Sequence, residues 1–266
     1  MSLPLEGQVA IISGGLGDIG RAIALELARR GADVAVGDIL EAEKAHPLLT
    51  QIRALRRRPR YDRVDVSDAD AVAAWVEAVA QELGPPTLII PNAAVATFMP
   101  LPELTPQGWR RELSINLDGA FYLAQLATQK LVALGRPGRV VFIGSWAGHA
   151  VHPTIPAYCV SKAGIRMLMK CMAAELSPHG ILVNEVSPGY VNAGLSGRWF
   201  AADPKRAEYA RASVPVRRLI EPGEVAAQVA HLCDPSNLHI TGTALIMDGG
   251  LSLFGFGGQK PAPSHE

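Results

Sequence analysis

Short apolar runs without apolar–polar alternation, each separated from the next by a longer stretch of helical periodicity, constrain this chain more than any other feature. The runs are Val9–Ser13, Asp33–Gly37, Asp62–Val66, Thr87–Pro91, Arg139–Gly144, Ile181–Val186 and Ala244–Met247. Helical patterns occupy Ile19–Arg30, Glu41–Arg57, Ala69–Leu83, Pro106–Leu134, Ala157–Ser177 and Glu224–Leu232. A strand with no polar side has to be covered on both faces, and intervening helices supply that cover in a parallel sheet. Right-handed crossovers then give one α/β doubly wound sheet, mostly parallel and seven-stranded, with ligands outside the carboxyl ends of its strands. No repeat or interdomain linker interrupts the pattern, so residues 1–254 are predicted to form a single domain.

Two segments depart from the alternation. Residues 188–215 have weak periodicity and scattered Gly and Pro, which suits a lid at the active-site end of a strand. The polar tail at 255–266, rich in Gly and Pro, is expected to be mobile.

The charge balance narrows the classes of partner. Lys and Arg number 25, as do Asp and Glu, so nucleic acid and anionic membrane have no net electrostatic attraction to exploit. The one basic run, Arg53 to Arg60, falls where a helix should end, the pole that favours cations. No apolar stretch approaches the ~18 residues of a membrane span, and the first residues lack a secretory pattern. Three cysteines without C-x-x-C spacing fit reduced thiols in a cytoplasmic protein, and no metal-ligand cluster is evident.

The first strand runs into Ser13-Gly14-Gly15-Leu16-Gly17-Asp18-Ile19-Gly20, which also opens the first helix. Such a loop lets backbone N–H groups and a helix N-terminus meet a pyrophosphate, and Gly15-x-Gly17-x-x-Gly20 fits the dinucleotide pattern. Asp38 ends the second strand, about 20 residues beyond the loop, where a carboxylate accepts from ribose hydroxyls and repels a 2′-phosphate. NAD is therefore expected over NADP. Asp65, at the end of the third strand, is expected to meet the adenine, and Val66 beside it joins the cofactor residues.

Tyr158 and Lys162 are separated by one helical turn, so their side chains share a face. A phenol titrates near ~10, and an adjacent ammonium should lower that value and make Tyr158 a usable acid/base. Ser145, at the end of the fifth strand, can place a hydroxyl beside the phenol and polarise a substrate carbonyl. Lys162 can also bond the nicotinamide ribose.

With these motifs in this order, the chain resembles the short-chain dehydrogenase/reductase family from about Gly7 to Leu251. The resemblance implies a Rossmann-type fold and a catalytic set of Asn116, Ser145, Tyr158 and Lys162, with Asn116 holding a water that relays protons. It carries Asn92 and Ala93 over from the family's Asn-Asn-Ala-Gly motif, present here as Pro91-Asn92-Ala93-Ala94. Pro188, Gly189 and Val191 are assigned to the nicotinamide. The complete predicted cofactor set is Gly14, Gly17, Asp18, Ile19, Gly20, Asp38, Asp65, Val66, Asn92, Ala93, Tyr158, Lys162, Pro188, Gly189 and Val191. The chain departs from the family pattern at Asp18, where a glycine is usual, and at Ala193, where a threonine is common. A carboxylate facing a pyrophosphate would be repelled, so Asp18 is expected to turn outward or to cap the helix.

The resemblance further implies an NAD(H)-dependent oxidoreductase acting on a secondary alcohol or ketone of sugar or polyol type. The alternatives are a 3-oxoacyl-thioester reductase and a catalytically silent nucleotide-binding protein. Trp146, His149, His152, Asn192, Leu195, Trp199 and Phe200 are candidates to meet a small-molecule substrate. The apolar stretch Ile165–Ala174 and the helix bearing Phe121, Tyr122, Leu123, Leu126 and Leu131 suit a subunit interface, and family members commonly pair these helices in homodimers or homotetramers.

Overall fold

The computed structural model describes residues 3–152, 154–201 and 203–253. Its strands are β1 (Val9–Ser13), β2 (Asp33–Asp38), β3 (Pro59–Arg63), β4 (Leu88–Ile90), β5 (Gly138–Ile143), β6 (Ile181–Pro188) and β7 (Ala244–Met247). They form one sheet in the order β3-β2-β1-β4-β5-β6-β7, and every neighbouring pair is parallel. The helices are α1 (Asp18–Arg29), α2 (His46–Ala54), α3 (Ala69–Glu82), α4 (Pro106–Leu113), α5 (Gly119–Ala133), α6 (Pro156–Leu176), α7 (Gly194–Ala201), α8 (Pro204–Ser213) and α9 (Pro222–Cys233).

Each face of the sheet has its own core, as strands without polar alternation require. Along β1, Ala10 and Ile12 pack with Ile23, Leu27, Val225 and Val229 of α1 and α9. Val9 and Ile11 pack on the opposite side, with Val79, Leu123 and Ile165 of α3, α5 and α6. Ile11 and Ile12 are both fully buried, so trimming either to Ala should cost about 2–5 kcal/mol. The direction of winding reverses between β1 and β4, which opens a crevice beyond their carboxyl ends.

The helix expected over Glu41–Arg57 is a 3-10 turn at Ala42–Lys44 followed by α2, and other ends shift by a few residues; three further differences bear on the site. Strand β3 starts at Pro59, because the edge position tolerates a residue that cannot donate, while Val64 and Val66 pack into the core beyond the strand's end. The expected helix over 106–134 is instead α4, a π-turn at Ser114–Asp118, and α5. At this break Gly119 lies against Val66; an added Cβ would sit 2.8 Å from the valine Cγ2. The 188–215 segment is not irregular, since α7 and α8 occupy most of it.

Among the described residues, no helix is long and apolar enough to cross a membrane. The tail at 255–266 and the side chain of Trp199 lie outside the described residues.

Candidate active site

The crevice holds a cavity of about 690 Å³. All of the sequence-predicted cofactor residues, Gly14, Gly17, Asp18, Ile19, Gly20, Asp38, Asp65, Val66, Asn92, Ala93, Tyr158, Lys162, Pro188, Gly189 and Val191, line it. Ser145 lines it as well, whereas Asn116 lies behind its wall.

At one end the backbone builds the wall. Gly14 has φ +62°, and a Cβ there would lie 2.8 Å from Ala93 Cα; a Cβ on Gly20 would lie 2.3 Å from the Gly14 carbonyl. Only glycine fits such a close approach of loop, helix and β4. The Ser13 hydroxyl accepts from the N–H groups of Asn92 and Ala93 at 3.0 and 3.1 Å. Asn92 returns two side-chain bonds, to the carbonyls of Ser13 and Gly14. Gly17 caps α1 without a side-chain acceptor, so the first-turn amides remain for a ligand to satisfy.

Asp18 neither caps α1 nor stands free. Its carboxylate crosses to the start of α7 and accepts from Gly194 N at 2.8 Å. Asp38 accepts from Leu16 N at 3.1 Å and from Leu40 N at 3.3 Å, binding the glycine loop to the end of β2. A carboxylate has about four lone-pair sites, so acceptor capacity remains for ribose hydroxyls. Asp65 accepts from the backbone and side chain of Ser67, which shapes the turn after β3.

At the other end side chains build the wall, Lys162 and Ser145 buried and Tyr158 half-buried. Tyr158 and Lys162 sit one turn apart on α6, with the ammonium 5.5 Å from the centre of the phenol ring. Lys162 is 2% exposed, and its Nζ donates to the Ile143 carbonyl at 2.7 Å. Ser145 accepts from Ala147 N at 3.2 Å and is hydrogen-bonded to the Tyr158 phenol.

Electrostatics here corrects one expectation. Burial pushes the Tyr158 phenol up to about 12, opposed by its bond with Ser145. Ser145, not Lys162, is the group that lowers the phenol, and burial pulls the lysine's own value down to about 8. In the protein alone, desolvation outweighs the pairing that i,i+4 spacing suggests.

Asn116 is fully buried inside the π-turn. Its Oδ1 accepts from Val95 N, and its Nδ2 donates to Val95 O and to Ser161 Oγ. The side chain therefore ties the loop after β4 to α6, with one Oδ1 lone pair left over.

The candidate substrate residues divide. Trp146, His152 and Leu195 line the cavity; His149, Asn192 and Phe200 do not. His152 is 8% exposed, bonded to Thr154 Oγ1 at 3.2 Å, and packed against Trp146. Burial lowers its pKa and favours the neutral ring. Tyr190, which sequence reasoning missed, also lines the cavity, and it stacks edge-on against Trp146 and Phe200.

Two buried carboxylates near the reacting end were also missed. Glu112 on α4 accepts from Thr97 N at 3.3 Å, and Glu185 lies inside β6. A charge within the apolar run Ile181–Val186 was the one signal for Glu185. Among the described residues, no group of His, Cys, Asp and Glu is arranged to hold a metal ion.

Comparison with known proteins agrees with this geometry. A family profile described as enoyl-(acyl carrier protein) reductase matches residues 15–252. D-threitol dehydrogenase of Mycolicibacterium smegmatis is 35% identical over 249 residues, covering 94% of this chain and 94% of that protein. L-rhamnose 1-dehydrogenase (NAD(P)(+)) of a Sphingomonas species is 30% identical, covering 93% and 97% respectively. The structure of an NAD+-bound xylitol dehydrogenase superposes with a TM-score of 0.88 at 30% identity, over 92% of this chain and 99% of that one. With its doubly wound sheet, glycine loop and Ser–Tyr–Lys arrangement, the chain belongs to the short-chain dehydrogenase/reductase family.

Proposed function

We propose that this chain is a nicotinamide-dependent oxidoreductase that interconverts a secondary alcohol of sugar or polyol type and the corresponding ketone, with NAD(H) preferred. The observation that carries the reading is the convergence of Ser145, Tyr158 and Lys162 on the same cavity as the glycine loop and Asp38. The loop fits a dinucleotide, because its close approaches exclude any Cβ and its helix end offers unpaired amides.

Gly14 to Gly20 would hold the pyrophosphate, Asp38 the adenosine ribose, Asp65 and Val66 the adenine, and Asn92 and Ala93 the loop beside it. Pro188, Gly189 and Val191 would border the nicotinamide, and Lys162 would bond its ribose. A bound nicotinamide supplies the acceptor or donor of hydride. Ser145 orients the substrate oxygen, and Tyr158 takes the hydroxyl proton in oxidation or returns it in reduction. With its phenol pushed up to about 12, Tyr158 is protonated at neutral pH and ready to donate, so oxidation gains as pH rises. Asn116 fixes the wall behind Lys162 and is proposed to hold the water that passes the proton on.

Asp38 supports the NAD preference; the named relatives include both an NAD(P)-dependent enzyme and an NAD-bound one. His152, neutral and facing the cavity, suits a further substrate hydroxyl. The enzyme is proposed to work in the cytoplasm as a homodimer or homotetramer. Exposed Val160, Met167 and Cys171 on α6 supply an uncovered apolar face for the partner copy.

The test is a panel of sugars, polyols, hydroxysteroids and 3-oxoacyl thioesters, assayed with both cofactors. Turnover of a polyol or sugar with NAD is expected to exceed the others by at least about tenfold, or 1.4 kcal/mol. Preferential reduction of a 3-oxoacyl thioester would overturn the substrate assignment.

A further inference from the structure

Strand β6 is buried along its entire length, yet it carries a carboxylate at its centre. Glu185 is 0% exposed. Its Oε1 occupies the space that Gly144 leaves by lacking a Cβ; an added Cβ would sit 1.8 Å from it. Lys162 donates to the carbonyl of Ile143, the other half of the Ile143–Gly144 peptide. The carboxylate and the buried ammonium thus address a single peptide unit of the chain.

The hydrogen bonds around Glu185 run in one direction. Arg166 can only donate, so its 2.6 Å contact makes His149 Nδ1 an acceptor and leaves the ring proton on Nε2. That Nε2 donates to Ser187 Oγ at 3.0 Å, and Ser187 donates to Glu185 Oε1. Glu185 Oε2 has no hydrogen-bond partner among the described residues. Burial raises the Glu185 carboxyl above its ordinary value; the Ser187 bond and then Lys162, Arg166 and Lys170, at successive turns of α6, oppose that rise and favour the charge. His149 faces it from the segment after β5 at 3.7 Å, while Asp248, after β7, acts on His149.

Resting on the reading of Tyr158 and Lys162 as the reacting pair, we propose that Glu185 is a positioning residue for Lys162. Its carboxylate holds the buried ammonium charged and aimed at the Ile143 carbonyl, and the Arg166–His149–Ser187 chain keeps that carboxylate ionised. Burial pulls Lys162 toward its neutral form, and the Glu185 charge acts on it in the opposite direction, alongside the bond to the Ile143 carbonyl. A neutral amine would lose both its attraction for the phenolate and a donor for the ribose.

The experiment follows the NMR titration of Lys162 in the full-length protein with ¹³C-labelled lysine, assigned by the signal's loss in Lys162→Arg. Glu185→Gln keeps the shape and removes the charge, and is expected to lower the Lys162 midpoint by about one pH unit or more. Glu185→Asp draws the charge back by one methylene and should give a smaller fall, which carries the test if Glu185→Gln does not fold. An unchanged midpoint in the folded variant would overturn the proposal. Alongside, the alkaline limb of turnover should move down with the midpoint; a limb that stays in place also overturns it. The titration uses no substrate, so absence of alcohol turnover in the wild type would defeat the function reading without altering this readout.

Discussion

The two ends of the cavity are built by different means. At the end proposed for the nucleotide the wall is mostly backbone: a loop of glycines and the first turn of α1, to which the Asp38 side chain is fastened through Leu16 N and Leu40 N. At the reacting end it is made of side chains, with Lys162 2% exposed and the half-buried Tyr158 pushed up to about 12. A backbone site is sensitive to added atoms, because its geometry leaves no room for them. A side-chain site is sensitive to charge, because desolvation amplifies each neighbour. Substitutions that add volume should therefore damage the first end, and substitutions that change charge should damage the second.

Within the cavity wall, the glycine loop offers the largest stability effect. Gly20→Ala puts a Cβ 2.3 Å from the Gly14 carbonyl, whereas a Cβ on Gly17 meets nothing closer than 3.4 Å. Overpacking of this kind costs about 1–3 kcal/mol, which corresponds to a Tm loss of about 2–10 °C for Gly20→Ala in thermal melts. Gly17→Ala should leave Tm within about 1 °C and weaken NADH binding in calorimetry, since only the ligand needs that space. Equal Tm losses would break the distinction between a glycine the fold needs and one the nucleotide needs.

A smaller effect is expected at Asp38. Asp38→Ala removes the carboxylate that repels a 2′-phosphate, and the NAD to NADP ratio of kcat/KM should fall by about tenfold, or 1.4 kcal/mol. An unchanged ratio would reduce Asp38 to a turn residue that holds Leu16 and Leu40.

How much was legible in the sequence follows the same division. The alternation of strands and helices was readable because burial on both faces leaves a pattern in every strand, and β1 and β7 fall where expected. The nucleotide end was readable because close backbone approach demands glycine, which a sequence displays directly. The split of the 106–134 helix was not readable, since a π-turn at Ser114–Asp118 keeps helical periodicity on both sides. The partner of Asp18 was hidden too, because Gly194 lies far along the chain. At the reacting end, residue types and spacing gave Ser145, Tyr158 and Lys162, but the direction of their electrostatics depends on burial. Glu185 shows the limit most clearly: its relation to Gly144 and Lys162 exists only once β5, β6 and α6 are packed.

The central claim is that the Tyr158 phenol moves the proton in hydride transfer, and Tyr158→Phe tests it most directly. Initial rates of NADH formation from the polyol or sugar best used by the wild type should fall by about 10²–10⁴-fold, the usual worth of a positioned acid/base, with NADH affinity retained. A wild-type rate in the folded Tyr158→Phe variant would contradict the account.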